Sequence, residues 1–174
     1  MIVELKNERM IVRRSQDGDI KAFELLYNHF EKPMYMFALR MLNSEDAREA
    51  LQITFIKLHK MIGNYRFQSK FSTYLFKILI HVCYDLQKKK KNSRLQLTEH
   101  YTESGYTNDN ELKIQLEQAI SNLPERMREC FVLFAVEGFK QDEIAEMLAI
   151  STGAVKAHIF KAKQKLKTIL AESI

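Results

Sequence analysis

The stretch "DEIAEMLAISTGAVKAHIFKAKQKL", residues 142–166, decides how this chain is read. Ile144, Ala145 and Leu148 line one face of a short helix. Val155, Ile159, Ala162 and Leu166 follow at steps of four, three and four, so a second helix buries a single stripe. Between the two helices the tight connection "AIS" leaves Ser151 placed to cap the second. Off the buried stripe lie Thr152, Lys156, Ala157, His158 and Lys161, with Lys163 and Lys165 further along. Small residues at the turn, a buried stripe and cations beside it make the layout of a helix-turn-helix that reads DNA. A plain helical hairpin with a lysine-rich solvent face has the same spacing. Ala149 also stands where such turns often hold glycine.

Working outward, helical patterns cover most of the 174 residues. "ELKIQLEQAISNL" and "PERMRECFVLFAVEG" precede the helix-turn-helix, the latter opened by Pro124 and stopped by Gly138. In the first half, "DIKAFELLYNHFEK" starts at Asp19 as N-cap, with Phe23, Leu26, Tyr27 and Phe30 on one face. Pro33 reads as the first turn of a separate helix, "PMYMFALRML". "NSEDAREALQITFIKLHKMIG" follows, capped by Asn43 or Ser44, and a long helix is expected from about Ser72 to Lys91. "NSRLQLTEHYTESGYTNDN" breaks every periodicity and reads as a linker. With only 5 Gly and 2 Pro there is little turn punctuation. The fold class expected is therefore all-α, with helical domains over 1–94 and 111–174 joined by a linker over 95–110.

Charge says what these helices face. Residues 61–94 carry eight cations against Asp85, and residues 150–174 carry five lysines against Glu172. Residues 95–110 hold three acids and no Lys or Arg. Two basic patches flanking an acidic connector point to a polyanion held at two places. One patch contains "NYRFQSKFSTYLFKI", residues 64–78, where five of fifteen residues are aromatic and Arg66, Lys70 and Lys77 are interleaved with them. Rings that stack on an unpaired base and cations that hold its backbone are what capture of a melted strand requires. Core packing is the competing reading for Phe71, Phe76 and Tyr74, whereas Tyr65 and Phe67 belong to neither neighbouring apolar stripe.

The composition excludes other classes. No apolar run approaches the roughly 18 to 20 residues of a membrane span, and "MIVELKNERMIVRR" does not read as a signal peptide. A cytoplasmic protein is expected, with Cys83 and Cys130 as buried reduced thiols. His29, His59 and His100 join no acid or thiol at ligand spacing, and no Walker loop or nucleophile set is present. The chain is thus expected to be no enzyme and to need no metal or cofactor.

Both halves together resemble the bacterial sigma-70 family of RNA polymerase sigma factors, in its small extracytoplasmic-function group. "GDIKAFELLYNHF", "DAREALQITFIKLHK" and "FSTYLFKILIHVCYDLQKKKK" are similar to region 2 of that family, and residues 116–166 to region 4. The resemblance implies a dissociable subunit of RNA polymerase whose partners are the β′ clamp helices, the β flap, promoter DNA and an anti-sigma factor. By position it implies polymerase binding by Asp46, Glu49 and Gln52. Contact with and melting of the −10 element falls to Tyr65, Arg66, Phe67, Lys70, Tyr74, Lys77, His81 and Lys88. Contact with the −35 element falls to Thr152, Lys156, His158 and Lys161. The chain departs from the family's usual residues at Glu49, Ile53, Tyr74, His81, Ala154 and His158. A stand-alone helix-turn-helix regulator is the alternative, and a module for an acidic protein partner is a third reading.

Overall fold

The computed structural model describes residues 5–93 and 111–171, and the chain divides into two units, residues 1–98 and 99–174. All regular structure among the described residues is helical. The segment expected as a linker lies outside them.

The first unit holds α1 (Glu8–Gln16), α2 (Ile20–Met41), α3 (Ser44–Met61), a 3-10 turn (Ile62–Asn64) and α4 (Phe71–Ser93). Asp19 caps α2 as expected, its carboxylate accepting the Ala22 amide at 3.1 Å and pairing with Arg14. The Ala22 amide first, then the Arg14 guanidinium, hold that carboxyl below its usual range. Asn43 caps α3 by accepting the Asp46 amide at 2.9 Å, and Glu45 and Asp46 complement the dipole of its first turn.

Two elements differ from the sequence reading. The sequence assigns residues 8–16 no helix, yet α1 forms and buries Ile11, Val12 and Ser15. Nor does Pro33 begin a new helix; α2 runs through it for 22 residues. An internal proline removes a hydrogen bond and disfavours a helix by about 3 kcal/mol. Against that, Leu26 and Phe30 before it and Met34, Phe37, Ala38 and Met41 after it form one buried stripe. Packing on α3 and α4 outweighs the local preference, as it does for most helices in folded proteins. The core is rich in rings, with Phe30 against Phe71 at 5.7 Å and Phe37 against Phe76 at 5.7 Å between centroids. Phe71 and Phe76 are therefore core residues, both at 1% exposure or less.

The second unit holds α5 (Glu111–Ser121), α6 (Glu125–Phe131) continuing into a π-helical turn (Val132–Val136), α7 (Gln141–Leu148) and α8 (Thr152–Ala171). The single helix expected before Gly138 is thus an α-helix with a π turn at its end. Gly138 adopts φ +84°, a conformation glycine reaches without a Cβ clash. The Arg128 guanidinium is buried and donates to the Ser121 carbonyl at 2.8 Å, satisfying the end of α5. Cys83 and Cys130 are both buried and neither forms a disulfide, and burial pushes the Cys130 thiol up to about 12, so it stays protonated.

The turn between α7 and α8 is closed by Ala149 at φ +53°, ψ 45°, with the Ile150 amide reaching back to the Ala145 carbonyl at 3.1 Å. A left-handed alanine costs roughly 1 to 2 kcal/mol that glycine avoids. Ala149→Gly is therefore expected to stabilise the second unit by about 1 kcal/mol. An upward shift of its urea midpoint checks this, and an unchanged or lowered midpoint contradicts it.

Candidate nucleic-acid and polymerase interfaces

On α8 the expected division of faces is present. Val155, Ile159, Ala162 and Leu166 are buried. Ser151 caps the helix by accepting the Ala154 amide at 3.1 Å. Thr152, Lys156, Ala157 and Lys161 are exposed, so three of the four residues assigned to upstream DNA are open to a ligand. His158 is not equivalent to them. Its ring is half-buried, and its Nδ1 is shut off from solvent without a hydrogen-bond partner. Only its other edge remains available. Sequence reasoning missed Phe160, which is 63% exposed one turn beyond Lys156. Its signal was an aromatic off the buried stripe in a helix whose exposed positions are otherwise small, polar or cationic.

In the first unit, the aromatic–cationic stretch separates into two parts. Tyr74, Lys77, His81 and Lys88 follow one another along α4 by three, four and seven residues, which keeps them on one face. His81 and Lys88 are exposed there, and Tyr74 and Lys77 half-exposed. The His81 Nδ1 lies 2.6 Å from the Lys77 carbonyl. A carbonyl only accepts, so Nδ1 carries a proton and donates to it, which leaves Nε2 as the edge open to a partner. The four-lysine run is not uniform. Lys90 binds the buried Asp46 carboxylate, fastening the end of α4 to the start of α3.

The loop before α4 holds the other part, and here the two rings that sequence treats alike have different places. Tyr65 is buried, at 7% exposure. Its ring meets Phe67 at 4.8 Å, Tyr74 at 4.9 Å and Phe71 at 5.4 Å between centroids, and its hydroxyl donates to the Ser69 carbonyl. Burial pushes the Tyr65 phenol up to about 12. The expectation that Tyr65 is spare for stacking on DNA is therefore corrected: it packs the loop onto α4. Phe67 is half-exposed at φ +57°, a strained conformation for a non-glycine residue. Arg66 and Lys70 beside it are exposed.

The surface of α3 differs in one residue from the assigned polymerase contacts. Glu49 and Gln52 are exposed, but Asp46 is 5% exposed and committed to Lys90. A buried, paired carboxylate holds the helix start in place and is not open to a partner. Ile56, 56% exposed and one turn beyond Gln52, extends the exposed ridge instead. Its sequence signal was an isoleucine lying off the periodic stripe.

Comparison with known proteins places these surfaces in context. Residues 26–93 match the family model described as Sigma-70 region 2, and residues 113–166 match Sigma-70, region 4. The ECF RNA polymerase sigma factor SigM of Mycobacterium tuberculosis is 28% identical over 155 residues, covering 88% of this chain and 79% of the relative. The ECF RNA polymerase sigma-E factor of Haemophilus influenzae is 26% identical over 182 residues, covering 95% and 96%. Among solved structures, CnrH in complex with the cytosolic domain of CnrY shares the fold with a TM-score of 0.74 at 21% identity, covering 96% of this chain and 99% of that one. RpoE of Bartonella quintana, in complex with the anti-sigma factor NepR, aligns with a TM-score of 0.72 at 19% identity, covering 87% and 98%. With one family region matched in each unit, in order, and relatives of one class along nearly its whole length, the chain belongs to the sigma-70 family of RNA polymerase sigma factors, in the extracytoplasmic-function group.

Proposed function

We propose a division of labour within this sigma factor, which serves transcription initiation. α8 reads the upstream promoter element through Thr152, Lys156 and the outer edge of His158, with Lys161 gripping phosphate. The loop carrying Arg66, Phe67 and Lys70, together with the Tyr74–Lys77–His81–Lys88 face of α4, opens and holds the downstream element. Glu49 and Gln52 of α3 dock on core polymerase, with Ile56 adding apolar area. The domains keep the bounds 1–94 and 111–174, with 95–110 between them. The protein acts in the cytoplasm and contributes binding energy, not catalysis. No helix among the described residues is long and apolar enough to cross a membrane. Structures of similar fold were solved in complexes, one of them with an anti-sigma factor, which supports an anti-sigma factor as a further partner.

The observation that carries this reading is the face of α8. Its stripe is anchored while Thr152 and Lys156 in the N-terminal half and Lys161 near the middle stay in solvent, the layout a helix needs to enter a major groove. Holoenzyme binding to single-base variants of a promoter tests it. Lys156→Ala is expected to relax discrimination at one position by about 1 to 3 kcal/mol, whereas Lys161→Ala lowers affinity evenly and reduces the salt slope by about 1. The same flat loss from both removes Lys156 from base readout. Operator binding as tight by the free chain as by holoenzyme would favour the stand-alone regulator.

A further inference from the structure

α1 lies outside the residues that match either family region, yet it is fastened to the loop that presents Phe67. Gln16 donates through Nε2 to the Ile62 carbonyl at 2.9 Å and the Tyr65 carbonyl at 2.8 Å. One and two turns earlier, the Arg13 and Arg9 guanidinium carbons lie 5.7 and 5.1 Å from the centroid of the Phe67 ring. Both arginines are exposed. An open groove runs beside them, lined by Asn7, Arg9, Met10, Arg13, Arg14 and Asp17. Arg14 is engaged by Asp19 at one side of this surface.

From this arrangement we propose that Arg9 and Arg13 of α1 form a phosphate-binding site for single-stranded DNA, continuous with the base-stacking face of Phe67. The inference rests on the capture role given above to Phe67. In the free protein the guanidiniums rest over the ring in solvent-exposed cation–π contacts. An arriving base stacks on the same face of the ring and takes their place there. The displaced guanidiniums sit on long side chains beside that base and close on the flanking phosphates. There each makes a charge-assisted, bidentate contact that its aromatic neighbour never offered. The left-handed backbone of Phe67 fits this role, since it holds the ring out beneath α1 when the neighbouring Tyr65 turns inward. In the free chain the arginines thus keep the ring ordered; in the complex they hold the strand.

The test uses the full chain bound to core polymerase and a labelled fork-junction DNA, selected by the wild-type holoenzyme from a randomised pool. Affinity is measured over a range of salt concentrations for wild type, Arg9→Gln/Arg13→Gln, Arg9→Lys/Arg13→Lys and Phe67→Ala. Loss of two phosphate contacts to a single strand is expected to reduce the salt slope by about 1.4 in the glutamine variant. The lysine variant should keep the slope. Phe67→Ala should lose affinity with the slope unchanged, because a ring carries no charge. A glutamine variant with the wild-type slope overturns the proposal, whatever Phe67→Ala does. An unaltered affinity in Phe67→Ala overturns the capture reading separately, and the slope still reports on the arginines.

Discussion

Tyr65→Ala is expected to lower the stability of the first unit by about 3 to 5 kcal/mol, the range for removing a buried aromatic ring. The ring touches Phe67, Phe71 and Tyr74, and its hydroxyl closes the loop on the Ser69 carbonyl. Tyr65→Phe keeps every ring contact and should cost only about 1 kcal/mol, the typical net value of one hydrogen bond. Urea denaturation of the three proteins measures the difference directly. A small loss in the alanine variant would return Tyr65 to the surface. Phe67→Ala provides the contrast, because the half-exposed ring at φ +57° adds little to the core. Its stability should stay within about 1 kcal/mol of wild type, since the left-handed strain is shared by any non-glycine residue. What it loses is promoter opening, by about 1 to 3 kcal/mol for one stacked base, or roughly 5- to 150-fold. Permanganate reactivity of promoter thymines, read beside promoter occupancy, checks this second outcome. Full reactivity at normal occupancy would exclude the ring from melting.

The second large effect lies on α3. Glu49→Lys reverses a charge on an exposed ridge and should leave unfolding within about 0.5 kcal/mol of wild type. Binding to core polymerase should weaken by about 2 kcal/mol or more, roughly 30-fold, as expected when a buried interfacial charge meets its former partner with the wrong sign. Ile56→Asp belongs in the same titration, because the ridge continues through that exposed side chain. Asp46→Asn separates interface from architecture. Its carboxylate is buried against Lys90, so the substitution should act on the anchoring of α4 to α3 and on stability before it acts on binding. Unchanged core affinity in Glu49→Lys would take this helix out of the interface.

The sequence by itself determined whatever is written in short-range periodicity. Val155, Ile159, Ala162 and Leu166 recur at helical steps, so α8 and its solvent face are legible without any partner. The caps at Asp19, Asn43 and Ser151 are equally local, each accepting an amide three residues ahead. Two separated basic patches and the order of two helical units follow from composition along the chain. Only tertiary structure decided the rest, because the deciding partner lies far away in sequence. Pro33 ends a helix by its own chemistry, yet a stripe that packs on α3 and α4 carries α2 through it. Asp46 reads as a surface acid in the first turn of α3 until Lys90 arrives from the far end of α4. Tyr65 and Phe67 are two rings in one loop with no local pattern to distinguish them. One is drawn under Phe71 and Tyr74, and the other is left beneath the arginines of α1. Burial is a property of the closed unit: a helix can announce its own inner face, but a loop side chain learns which way is inward only when distant helices have packed around it.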